Sequence, residues 1–499
     1  MSGPVKRVAV VGSDSVAWIA AMALRRAFRH RELEVTVVDT ATAVSHPRGR
    51  WTLPSQRGMH AMLGIQEADF IGATGATFKL ATEHRGWQGE GSRFMHAHGE
   101  LGSELSGTAF YKYLLNQAIE GHVASADDYS LATVAARLGR FARPMGEGDA
   151  LTASFTYGFH LDETAYANYL RQHATRLGVG TVAGELLDIE MTEGGDIAAL
   201  RLANGVRAVA DLYLDCTGSQ ALLIGRIGSS ERDDWTRWLP CNRMLSGTAP
   251  ANASAPALTQ TTATEAGWQW RMPTAAHSFA GYVYSSAHVD DSTALLTLAA
   301  SVDGLANARV ENLRPGRRRQ LWERNCIALG AAAMELEPLV GADLHAAQLG
   351  IGALIELFPA GAVNPVEAAE YNRVMSEHCD GLRDFTLAHY HVGPARAGAF
   401  WSAVRATPLP DRLAYKLDLF SANGRIQMLD HETFEETDWA WLLLGGRQTP
   451  RALELQIRAR VAHIRPEQVA PLREHVHRLA ESMPRHMEFV QRFGARGTR

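Results

Sequence analysis

Lys79 lies between Phe78 and Leu80, and these apolar neighbours favour a partly desolvated amine, more readily neutral than a surface lysine. A second group with possible chemistry is Phe94-Met95-His96-Ala97-His98-Gly99, where two imidazoles stand two residues apart. Without a nearby Cys or acidic cluster at ligand spacing, this pair predicts no metal site. A third is Gly267-Trp268-Gln269-Trp270-Arg271-Met272-Pro273. Side chains two apart on a strand point the same way, so the two indoles share a face. Trp is favoured in strands and cores, and the run reads equally well as packing or as the wall of an aromatic site.

These residues need a scaffold, and the first 40 residues supply its start. Val8-Ala9-Val10-Val11 is an apolar strand, Gly12 follows, a helical stretch runs from about Ser15 to Arg29, and Leu33 to Asp39 is a second strand. Strand, helix and strand ending in an acid form the first unit of a dinucleotide-binding fold, with Asp39 placed for ribose hydroxyls. Gly12 can make the tight turn and Ala17 is a tolerated third position, but Asp14 puts a carboxylate where the middle glycine should be. Ser13, Asp14 or Ser15 could instead cap the helix end that would receive phosphate.

At 499 residues the chain is too long for one simple core. A net charge of −5 gives no electrostatic case for nucleic acid or an anionic membrane. Four scattered cysteines, Cys216, Cys241, Cys326 and Cys379, fit a reducing compartment. No signal peptide fits before the first strand and no apolar run reaches the ~20 residues of a membrane helix. A cytoplasmic location is the expectation.

The run Trp268 to Pro273 resembles the Trp-x-Trp-x-Ile-Pro signature of the flavin-dependent (tryptophan) halogenase family, with Met272 for Ile. Gly281-Tyr282-Val283-Tyr284-Ser285-Ser286, Ile65 to Lys79, Tyr157 to Asp162, Asp211 to Gly218 and Tyr371-Asn372-Arg373 extend the likeness to about residue 405. The resemblance implies an FAD enzyme acting on a small aromatic substrate, with Lys79 catalytic. His96, Trp268, Trp270 and Pro273 would belong to the substrate pocket. Gly12, Ala17, Asp39, Thr52 and Gly330 would face the cofactor. It further implies a flavin reductase and a homodimer or partner halogenase as associates.

Several family positions are altered. The flavin strap, Gly-x-Gly-Glu-Ala-Thr-Ile-Pro in the family, reads Arg48-Gly49-Arg50-Trp51-Thr52-Leu53-Pro54. Ala331 stands where an Asp contacts the cofactor, so Asp14, Arg50 and Ala331 read as three separate losses. In Glu337-Pro338-Leu339-Val340-Gly341-Ala342-Asp343, Val340 takes the place of the catalytic Glu, and Asp343 brings negative charge to the halide site. Glu337 reads as structural. General acid–base help contributes ~10²–10⁴ in rate, so the expectation is a halogenase-like protein that does not halogenate. Its FAD binding is weakened or lost, and a pocket for an aromatic, indole-like ligand or a partner remains. The alternative is an oxidoreductase of halogenase or monooxygenase type using Lys79 with reduced FAD and oxygen.

The predicted architecture is α/β: a Rossmann-like FAD module with an inserted sheet and a helical lobe. Residues 1–225, completed by 320–362, would form the module, 226–319 the sheet and 363–499 the lobe.

Overall fold

The computed structural model describes residues 3–40, 47–122, 125–144, 151, 156–228, 231–393 and 396–497. Strand β1 (Arg7–Val11), helix α1 (Ser15–Ala27) and β2 (Glu34–Asp39) form the predicted opening unit. β1 lies between β2 and Leu212–Asp215, parallel to both, in a six-stranded sheet that runs Trp322–Glu323, Cys326–Ala328, Leu212–Asp215, β1, β2, Gly180–Ala183. Val8, Val10, Val11, Val37 and Val38 are buried, as a parallel sheet covered on both faces requires. α1 is buried from Ser15 to Leu24, where helices Glu163–Arg176 and Asp343–Glu356 pack against it as well as the sheet. Its small residues, Ala17, Ala20, Ala21 and Ala23, let those helices come close.

Two further sheets position the chemistry. Strands β3 (Gly49–Trp51), β4 (Thr77–Lys79) and β7 (Gly158–Asp162) form a three-stranded sheet with β7 in the middle. That pairing brings the strap and Lys79 onto the two edges of one strand: Trp51 opposes His160 and Lys79 opposes Gly158. The largest described sheet has seven strands, in the order Ala306–Asn312, Arg243–Pro250, His277–Tyr284, Gly267–Pro273, Leu258–Thr264, β5 (Ala81–Arg85), β6 (Arg93–Ala97). It therefore draws its last two strands from the early chain, next to Lys79. Trp270 lies opposite Gly281, where a Cβ would sit 2.4 Å from the indole, so the glycine makes room for the ring.

Seven described helices lie between Pro365 and Gly497, led by the 27-residue helix Pro365–His391, capped by Asn364; of these, Glu436–Gly445 packs on β6 of this sheet. No described helix is long and apolar enough to cross a membrane. All four cysteines are buried as free thiols. The α/β architecture expected from the sequence is the one observed.

Candidate functional site

Lys79 ends β4 with its side chain buried, and its Nζ lies 2.8 Å from His98 Nε2. Burial pushes the amine down from 10.5 to about 7, against the pull of the Asp438 carboxylate. Burial, with the Lys79 charge next, also holds His98 well below the usual imidazole range. The neutral ring therefore accepts from the Lys79 amine, which itself titrates near neutral pH. The pair borders a cavity of about 360 Å³, also lined by His84, His96, Val340, His389, Phe434 and Asp438, within the size range of small-molecule sites.

Such an amine costs stability. Lysine charged in the unfolded chain up to 10.5 but in the folded chain only to about 7 imposes its full penalty below pH 7. That penalty fades as pH rises towards 10.5. Lys79→Met is therefore expected to stabilise the protein by a few kcal/mol at pH 6, since each tenfold loss of proton affinity is worth about 1.4 kcal/mol. The gain should shrink towards zero by pH 10.5. Urea unfolding of both proteins at pH 6, 8 and 10 reads this; a gain independent of pH would contradict it.

Of the four residues assigned to the substrate pocket, only His96 lines the cavity, where its Nε2 meets Asp438 Oδ1 at 3.1 Å. Trp268, Trp270 and Pro273 do not line it; all three are buried in the sheet. The Trp268 indole donates to Glu337 Oε2 at 3.0 Å, and Trp270 packs on Trp51 with ring centroids 5.2 Å apart. Glu337 also accepts from Tyr390 at 2.5 Å, and burial pushes its carboxyl up to about 7 against these hydrogen bonds. Glu337 thus ties the sheet to the long helix, the structural task read from the sequence. Val340 faces the cavity with no carboxylate to offer. Asp438, His84 and His389 carry no signal in the sequence that marks them for the cavity; Asp438 lies beyond the last recognisable motif, in the first turn of helix Glu436–Gly445.

The nucleotide end is occupied by the chain itself. Asp14 is the cap of α1, its Oδ1 accepting from Ala17 N at 3.2 Å, and Glu163 Oε1 accepts from Ser15 N at 2.7 Å. These are the N–H groups that a pyrophosphate would take. Arg50 reaches across from the strap to pair with Glu163 Oε2 at 3.3 Å and Asp343 Oδ2 at 3.1 Å. Burial, then the neighbouring Glu163 charge, raises Asp14 to about 6, while Arg50 opposes the rise. Burial would lower Arg50, but Asp343, Glu163 and Asp14 outweigh it and keep the guanidinium firmly charged.

Two readings of the sequence change here. Asp14 and Arg50 are not separate losses but members of one ionic network. Asp343 is not a bare repelling charge, because Arg50 neutralises it.

The other assigned cofactor contacts are also in use. Asp39 accepts from the Ser13 hydroxyl at 2.6 Å and pairs with Arg171 at 3.2 Å. Thr52 Oγ1 accepts from Phe159 N at 3.0 Å, pinning the strap to β7. Gly12 is required by the strand beside it, since a Cβ would lie 2.4 Å from the Cys216 carbonyl oxygen. Ala17 gives its N–H to Asp14, and Gly330 packs against Val16, whose Cγ2 would lie 3.3 Å from a Cβ. A dinucleotide's phosphates would meet two carboxylates already holding the helix end, so the residues present do not fit FAD in the manner the resemblance implies.

Residues 7–461 match the protein family described as tryptophan halogenase. Among characterised relatives, the 7-chloro-L-tryptophan 6-halogenase KtzR of Kutzneria sp. (strain 744) is 26% identical over 97% of this chain and 98% of its own. The flavin-dependent halogenase Xcc4156 from Xanthomonas campestris superposes with a TM-score of 0.91 at 33% identity, covering 98% of each chain. BrvH, a flavin-dependent halogenase from Brevundimonas sp. BAL3, does so with a TM-score of 0.91 at 30% identity, over 98% of this chain and 99% of its own.

Proposed function

The chain belongs to the tryptophan halogenase family, and from that premise we propose that it is a member that has given up flavin and halogenation and keeps the Lys79 cavity to bind a small aromatic, indole-like ligand. The observation that carries this reading is the Asp14–Glu163–Arg50–Asp343 network across the end of α1. Drift would leave a loosened phosphate site. A bound flavin would have to displace two carboxylates from backbone N–H groups and break the Glu163–Arg50 ion pair, each step unfavourable in a low-dielectric interior. Val340 supports the same reading at the cavity wall, because a valine can neither donate nor accept a proton there.

In the cavity, Lys79 offers an amine that titrates near neutral pH, Phe434 an aromatic face, and Leu53, Leu339 and Val340 apolar wall. A planar aromatic bearing one anionic group suits that lining: the ring meets the apolar side and the charge meets the Lys79 ammonium.

The test is a visible spectrum of the purified full chain after incubation with FAD and gel filtration. The expected result is colourless protein. Flavin absorption that co-elutes with the chain at near one equivalent overturns the reading.

A second reading is favoured by one observation, the retained and buried Lys79 with its lowered pKa. It holds that the chain is an FAD-dependent halogenase- or monooxygenase-type oxidoreductase, supplied by a separate flavin reductase. It predicts oxygen-dependent turnover with reduced FAD that Lys79→Ala abolishes.

A further inference from the structure

His84 on β5 and His96 on β6 project from the same face of the antiparallel pair, since His96 lies opposite Thr82 and His84 is two residues further along. The last turns of helix Pro365–His391 bring His389 over that face. One ring nitrogen of each histidine lies within 4.8 Å of one from each of the others. All three side chains are buried.

Each imidazole also has one ring nitrogen engaged. His84 Nδ1 lies 2.9 Å from Thr261 Oγ1, His96 Nε2 lies 3.1 Å from Asp438 Oδ1, and His389 Nδ1 lies 2.9 Å from the Phe385 carbonyl oxygen. A hydroxyl, a carboxylate and a carbonyl are the kinds of partner that fix tautomer and ring orientation in metal-bound histidines. A carbonyl can only accept, so His389 carries its proton on Nδ1 and presents a bare lone pair on Nε2. His84 Nε2 and His389 Nε2 are both buried without a hydrogen-bond partner. Two buried ring nitrogens without partners on neighbouring imidazoles call for an explanation in a folded protein.

We propose that His84, His96 and His389 bind a divalent cation of the zinc class, with a further coordination position open to the cavity that Lys79 lines. Three nitrogen donors select a late first-row ion over magnesium or calcium, which take oxygen ligands. Three protein ligands facing a cavity leave room for a water or a ligand atom, unlike a closed four-ligand structural site. The expectation of no metal rested on His96 and His98 alone, whose i, i+2 spacing lacks a third donor. In the fold His98 is taken by Lys79, and the third donor comes from the long helix. The proposal does not depend on the flavin reading, since no residue at the end of α1 takes part.

The test uses the full chain freed of metal with chelator and titrated with Co²⁺, whose visible ligand-field spectrum reports coordination. The expected result is one equivalent bound, a spectrum typical of four or five ligands, and displacement by Zn²⁺. His84→Ala and His389→Gln should each weaken Co²⁺ binding by more than about 100-fold. Asp438→Asn, which loses only the outer partner of His96, should weaken it by about 10–100-fold. His30→Ala, at an exposed position outside the cavity lining, should bind unchanged. Absence of the cobalt spectrum, or a spectrum and affinity that survive both His389→Gln and Asp438→Asn, overturns the proposal. Asp438→Asn keeps an acceptor for the Glu435 N–H at the helix start, so it carries the test even where a histidine variant fails to fold.

Discussion

Arg50→Leu is expected to lose about 3–5 kcal/mol of stability at pH 7.5, the cost of removing one partner from a buried ion pair. Arg50 is nearly enclosed and faces a fully buried Glu163, with Asp14 and Asp343 alongside. Leucine fills part of the volume but leaves these carboxylates without a cation. The loss should depend on pH in a definite direction. Asp14 already has a folded pKa of about 6, above its unfolded value. Its burial penalty is therefore absent below about pH 3.8, grows through the window up to 6 and is complete above it. Without Arg50 that window extends upward, so the variant should recover part of its deficit at pH 5, where Asp14 binds a proton in the folded state.

The triple variant Arg50→Leu, Asp14→Asn, Glu163→Gln should regain most of the stability, because the amides can still accept from Ala17 N and Ser15 N and the charges facing the lost guanidinium at the helix end are gone with it. Urea unfolding at pH 5 and 7.5 measures all three proteins. A loss below about 1 kcal/mol for Arg50→Leu, as for exposed ion pairs, would mean the network does not close the nucleotide end, and the case against flavin would weaken with it.

That network shows where the sequence could and could not be read. The opening strand–helix–strand unit was legible because its signals are local: an apolar run buried on both faces, a glycine at a close strand approach, and an acid at a strand end. The altered positions were legible one at a time, as departures from a family pattern. Their meaning was not, because Asp14, Arg50, Glu163 and Asp343 come from four distant segments and only the fold makes them neighbours. Glu163 had no local signal at all.

The same limit applies at the cavity. Period-two spacing marked His96 and His98 as sharing a face, but it could not show that Lys79 claims one and that His84 and His389 join the other. Asp438 sits in a segment with no motif. The pocket role assigned to the two tryptophans came from likeness of motif, and such likeness does not specify which side of the sheet the rings face in this chain.

Trp268→Ala is expected to cost about 3–5 kcal/mol, the range for deleting a large aromatic from a core, and to leave ligand binding in the Lys79 cavity nearly unchanged. Trp268 is fully buried, and its indole N–H donates to Glu337 alongside Tyr390 and the Cys241 thiol. Removing the ring opens a cavity and strips a buried carboxyl of a hydrogen bond. Trp268→Phe separates the two effects: it keeps most of the packing and loses the donor, which should cost about 1–3 kcal/mol. Pairing it with Glu337→Gln should reduce that cost, since an amide left unpaired is less expensive than an acid that titrates near neutrality.

The decisive comparison is between stability and affinity for an indole ligand, taken by urea unfolding and calorimetry on the same preparations. Were Trp268 a wall of the binding site, affinity would fall in step with the size of the ring removed. A core role predicts that melting and unfolding midpoints shift while affinity, measured well below the transition, holds. A fall in affinity at unchanged stability would put the rings back at the ligand, as the motif taken alone suggests.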